Sequence, residues 1–86
     1  MNKEKEYIVL VTNTFDERYS DVYGLYTLDE AMQLLHELHT SILNEWDDPL
    51  YENATMEDKC INDGFFTIDW GDDTYTDYNV MDIWKR

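Results

Sequence analysis

Eighty-six residues suffice for one small domain with one core, spanning residues 1–86, and a 43% apolar, 15% aromatic composition excludes the disordered acidic tail that a net charge of −14 would suggest alone. The same charge sets the chain against nucleic acid and anionic membrane surfaces, so the partner it implies is a protein, and a basic one.

The opening Met1 to Glu6 is charged like the first part of a secretory leader. The apolar run that follows, Tyr7 to Val11, is too short for a leader's core, and no small-residue cleavage site comes after it. No apolar stretch approaches the roughly 20 residues of a membrane span, so the expected location is cytoplasmic. Tyr7 to Asn13 is β-branched and aromatic and predicts a buried strand. Phe15 to Asp21 is a polar connection, and Val22 to Tyr26 predicts a short second strand in which Gly24 marks a bulge or a close backbone approach.

Thr27-Leu-Asp-Glu30 has the pattern of a capping box, with Asp29 and Glu30 also suiting the positive end of a helix dipole. The helix it starts is predicted to run to about Trp46. Leu28, Ala31, Leu35, Leu38, Ile42 and Trp46 recur at three- and four-residue steps and form its apolar stripe. Asp47-Asp-Pro49 ends it, because the residue before a proline is pushed out of helical geometry. Leu50 to Gly64 is the least legible stretch; Thr55 and Asp58 suggest one capped helical turn, and Asn62-Asp-Gly64 a turn. Phe65 to Trp70 alternates, placing Phe66, Ile68 and Trp70 on one face. Gly71 to Thr74 suits a hairpin connection, with Tyr78 to Trp84 as the returning strand. The expected fold is α+β: one three- or four-stranded, mainly antiparallel sheet with a single long helix on one face, the other face partly open to solvent or a partner.

Sixteen acids lie between Tyr19 and Trp84, with Lys59 the only basic residue among them. A solvated acidic face is one reading, but an ordinary exposed helix mixes signs, and Leu28 to Trp46 contains no Lys or Arg. Glu45, Asp47 and Asp48 also carry the wrong sign for the helix C-terminus. A second reading is that the carboxylates stand in for nucleic-acid phosphates, since Arg forks and Lys ammonium groups accept both. Thr67 and Asp69 with Asp72, Asp73 and Asp77 would form one row, at the roughly 6.5–7 Å same-face spacing of a strand. Glu45, Asp47, Asp48 and Glu52 would form another, with Tyr51, Tyr75 and Tyr78 as aromatic anchors. A third reading, a divalent-metal loop at Asp69 to Asp77, lacks the alternate acids, the central glycine and the closing glutamate of a calcium loop.

His36 and His39 are three apart on the helix and read as a boundary and a core histidine, since a zinc pair needs further ligands. Cys60 is alone, which excludes an internal disulfide, fits a reducing compartment, and suggests a small buried apolar residue. No glycine-rich phosphate loop or recognisable nucleophile setting is present, so neither cofactor nor catalysis is expected.

The run Gly24-Leu-Tyr-Thr-Leu-Asp-Glu-Ala31 after an opening strand, with the late Phe65-Phe-Thr-Ile-Asp69, resembles small strand–helix–strand–strand proteins of unknown function in bacteria and phages. That resemblance implies fold. In size, acidity and plan the chain also resembles phage-encoded inhibitors that mimic DNA, such as anti-CRISPR and anti-restriction proteins. This implies an inhibitor, monomer or homodimer, that occupies the basic cleft of a CRISPR effector nuclease or restriction enzyme in the host cytoplasm. The alternative is a non-enzymatic adaptor that meets its partner through apolar and aromatic surface.

Overall fold

The computed structural model describes residues 6–14 and 20–82. Over these the fold is α+β. Strands β1 (Tyr7–Asn13), β2 (Asp21–Tyr26), β3 (Thr55–Glu57), β4 (Phe65–Asp69) and β5 (Tyr75–Asp82) form one open antiparallel sheet in the order β2-β1-β5-β4-β3, and helix α1 (Leu28–Asn44) lies on one face.

The sheet has five strands, where the sequence predicts three or four. The addition is β3, in the stretch that suggested a capped helical turn at Thr55. Three residues are too few to show an alternation, and β3 is held by pairing with β4, Met56 opposite Ile68. β5 also starts earlier than its predicted Tyr78, because Tyr75, Thr76 and Asp77 pair with Asp69, Ile68 and Thr67. Ile83 and Trp84, predicted to continue that strand, lie outside the described residues, as does most of the connection from Phe15.

Val9, Ala31, Leu35 and Phe66 are the buried centre, where the apolar stripe of α1 meets alternate residues of β1 and β4. Each such side chain contributes about 1.5–3 kcal/mol through burial, alanine less. Leu38, Ile42, Met56, Tyr78 and Val80 close around them.

The capping box forms as the sequence predicts: the Thr27 hydroxyl accepts from the Glu30 amide at 3.2 Å, and the Thr27 amide donates to Glu30 Oε1 at 3.0 Å. The helix stops at Asn44, two residues short of the predicted end, with Glu45 as its C-cap. Asp48, before the proline, is extended, and its carboxylate accepts from the Leu50 amide at 2.9 Å to start a short 3-10 turn over Pro49–Tyr51. Gly24 makes the close approach expected of it. A Cβ there would sit 2.8 Å from Ile8 Cγ2, and the β1–β2 register slips at this point.

Candidate partner-binding surface

The acids that follow α1 (Glu45, Asp47, Asp48 and Glu52) and the β4–β5 turn that carries Asp72 and Asp73 are distant in sequence but meet at one end of the molecule. An aromatic stack joins them: Trp46 and Tyr51 lie 4.8 Å apart at 19°, and Tyr51 and Trp70 lie 5.5 Å apart at 17°. Trp46 follows α1 and Trp70 follows β4, so the stack ties the helix C-terminus to the β4–β5 turn. Trp70 is held in turn, its Nε1–H donating to Thr76 Oγ1 at 2.8 Å while the Thr76 hydroxyl donates to Asn13 Oδ1 at 2.6 Å. A second contact comes from Gly71, where a Cβ would lie 2.6 Å from the carbonyl oxygen of Asn53. The turn thus rests on the segment that follows the helix.

Around this stack the predicted residues take different roles. Glu45, Asp47, Asp48, Glu52, Asp72 and Asp73 are exposed. Asp48 spends one oxygen on the Leu50 amide, and Asp72 accepts from the Thr74 hydroxyl. Asp73 adopts φ 68°, a left-handed geometry that Asp tolerates better than most residues. Asp69 and Asp77 are half-buried and turned to the sheet face away from α1, where Asp69 accepts from the Gly71 amide at 2.9 Å and Asp77 from the Thr67 hydroxyl at 2.7 Å. Tyr75 shares that face, opposite Asp69, and is 37% exposed. Tyr51 sits inside the stack. Tyr78 points into the core, stacked on Phe66 at 4.4 Å, in contrast to the surface anchor suggested by its neighbours in sequence. Trp46 and Trp70 were not among the predicted site residues, although each borders an acidic row.

The electrostatics of this end run one way. Burial pushes the Tyr51 phenol above its usual range, and the carboxylates of Glu45 and Asp48 push it further by opposing a phenolate beside them. Lys59 is the only Lys or Arg among the described residues. It follows β3 on the side away from the β4–β5 turn, since Thr55 at the start of β3 pairs with Asp69. Nothing basic on the described chain therefore relieves the acidic end.

The sheet face away from α1 is a second surface. Val22, Leu10, Asn79 and Phe65 cross it in one row of register, and Ile8 with Met81 form the next. Val22 is 63%, Phe65 43% and Met81 44% exposed. Toward the β4–β5 turn the same face becomes polar, with Thr12, Asp77, Thr67 and Glu57 in one row and Tyr75, Asp69 and Thr55 in the next.

His39 is half-buried. Its Nε2 lies 2.7 Å from Asp58 Oδ2 and its ring meets Phe66 edge-on at 5.1 Å, so it ties α1 to the turn after β3. His36 is exposed on the outer face of the helix, and Cys60 is half-buried before the 3-10 turn at Ile61–Asp63. Among the described residues no group of three or more His, Cys, Asp or Glu is arranged to hold a metal ion, and no helix is long and apolar enough to cross a membrane. Comparison of the chain with protein-family models, with curated proteins and with solved structures finds no match.

Proposed function

We propose that this protein is a non-enzymatic inhibitor whose acidic end takes the place of nucleic-acid phosphates in the basic binding cleft of another protein, of the kind found in CRISPR effectors and restriction enzymes. The observation that carries this is that the exposed acids after α1, Glu45, Asp47, Asp48 and Glu52, share one end with Asp72 and Asp73 of the β4–β5 turn, joined through Trp46, Tyr51 and Trp70, with no Lys or Arg between them among the described residues. Carboxylates exposed around an aromatic stack offer anionic groups of the kind that Arg and Lys side chains built for a phosphate backbone accept. Asp48 also holds the Leu50 amide and Asp72 the Thr74 hydroxyl, so Glu45, Asp47 and Glu52 are the acids to reverse without disturbing these bonds.

The test is capture of a nucleic-acid-binding protein from host lysate, followed by competition with duplex DNA or RNA for the captured protein. Binding should be stoichiometric, displaced by the nucleic acid, and weakened steeply as added salt shortens screening from about 8–10 Å to about 3 Å. A variant with Glu45, Asp47 and Glu52 all replaced by Lys should keep its fold and lose the partner; retained binding by that variant overturns the proposal. The exposed Val22, Phe65 and Met81 favour a second reading, an adaptor that binds through apolar surface. Its binding would be nearly indifferent to salt and to the lysine variant.

A further inference from the structure

We infer that the sheet face away from α1 receives an amphipathic helical segment of the basic partner, with its apolar stripe on Ile8, Leu10, Val22, Phe65 and Met81 and its Lys or Arg residues over Glu57, Asp69 and Asp77. This rests on the proposed reading that the partner is basic, and adds which part of it is bound and where.

The size of the surface selects a helix. Its apolar half extends over four adjacent strands, β2, β1, β5 and β4, broken only by Asn79 between Leu10 and Phe65, and at about 4.7–4.9 Å per spacing is about 14 Å across. A helix with its side chains is about 10–12 Å wide and covers such a patch in one pass. The sheet already takes one helix on its other side, and a second would complete a three-layer arrangement with no apolar face open. A shallow groove of about 530 Å³ runs along the acidic half, lined in part by Glu57, Asp58, Phe65, Thr67 and Tyr75, with Lys59 the one base on its wall.

Charge selects the occupant. The face passes from apolar to acidic along the strands, with no Lys or Arg among its paired residues. A second copy of this chain would set Asp77, Glu57 and Asp69 against like charges and bring together two chains of net charge −14. A segment that offers leucine-like side chains first and cations next meets both halves.

The probe is a synthetic amphipathic helix roughly 18 residues long, with Leu at three- and four-residue steps and Lys crowded at one end. Controls are a scrambled peptide of the same composition and a version with Glu in place of Lys. Amide shift mapping should place the peptide on Leu10, Val22, Phe65 and Met81 and leave Gln33, Glu37 and Thr40 on the outer helix face unmoved. Phe65→Ser, and separately Val22→Thr at the exposed edge strand, should each weaken it about tenfold or more while amide dispersion stays native. The Glu45, Asp47, Glu52 lysine variant should bind the peptide within about threefold of the parent, because those acids lie off this face. That arm separates this inference from the inhibitor reading, which the same variant breaks by a different assay. Equal binding of the scrambled peptide overturns the inference, as do shifts confined to the acidic end. Sedimentation of the free protein as a dimer lost on Phe65→Ser, or contacts from Trp84 to Phe65 or Met81 in the free chain, overturn it too, by showing the face already covered.

Discussion

At its N-terminus α1 has a reciprocal pair of bonds between Thr27 and Glu30, and two acids, Asp29 and Glu30, in the first turn where the dipole welcomes them. At its C-terminus it has no basic residue in the last turn, Glu45 as the cap, and Asp47 and Asp48 immediately beyond. The first end follows the rules for a stable helix. The second breaks them at a cost of about 0.3–1 kcal/mol for each acid close to the terminus. Of these acids Asp48 has a local use, as the cap of the following 3-10 turn, whereas Glu45 and Asp47 gain nothing from the helix dipole beside them.

Alkali should act most strongly on the C-terminal side. Tyr78 lies among Tyr51, Tyr23 and Asp21; burial chiefly, and then these neighbours, push its phenol up from 10.0 to about 12. Tyr51, inside the aromatic stack, is raised in the same direction. Between pH 10 and about 12 the unfolded chain has lost the Tyr78 proton while the folded chain keeps it. The stabilisation is therefore whole below pH 10 and disappears as pH rises through the folded value. Two units would be worth about 2.7 kcal/mol, reduced to about 1–2 kcal/mol because part of the ring remains open to solvent. Urea unfolding at pH 9 and at pH 11.5 should show this fall, and Tyr78→Phe should remove most of it. Hydrogen exchange should rise at Trp46 and Trp70 before it rises at the first turn of α1. The reverse order would break the comparison between the two ends.

Thr27→Ala should cost about 1 kcal/mol, since it leaves the Glu30 amide without its acceptor. The same substitution should leave partner affinity unchanged, because Thr27 is at the opposite end of α1 from the acidic surface. Chemical denaturation and a binding titration on one preparation measure both. A loss of affinity comparable to the loss of stability would mean that the two ends are not independent.

What could be read from the sequence divides along the range of the interactions. β1, the capping box and most of α1 were legible because each is written in contiguous residues whose period or spacing has one physical meaning. The close approach at Gly24 was legible for the same reason. β3 was hidden because Thr55–Glu57 owes its conformation to β4, and Asp58, which looked like part of a local cap, reaches His39 on the helix. The early start of β5 was masked by Asp72, Asp73 and Asp77, whose charges read as turn. Thr76 is buried there because Trp70 and Asn13 supply its bonds. The runs of acids were visible in the sequence. That the acids after α1 share an end with Asp72 and Asp73, while Asp69 and Asp77 turn to the other sheet face, was not, since it depends on strand register and on Trp46, Tyr51 and Trp70 stacking across separate segments. The one local hint was an aromatic residue beside each row.

The smallest predicted effect has the opposite sign from the others and separates the two ends most cleanly. Glu45→Gln and Asp47→Asn keep size and polarity while removing charge from the negative end of the dipole. Each should raise stability by about 0.3–1 kcal/mol at low salt, and the gain should shrink as salt is added. Asp48→Asn should give less, because its carboxylate also holds the Leu50 amide and the amide side chain only partly replaces that bond. If the acids of the helix end serve a basic partner, Glu45→Gln and Asp47→Asn should bind it more weakly even as they unfold at higher urea. Stability and affinity would then move in opposite directions at this end, whereas at Thr27 stability moves alone. A neutralised variant that gained stability and kept full affinity would leave these carboxylates as a solvated face, and would shift the search for the working surface to Val22, Phe65 and Met81 on the sheet.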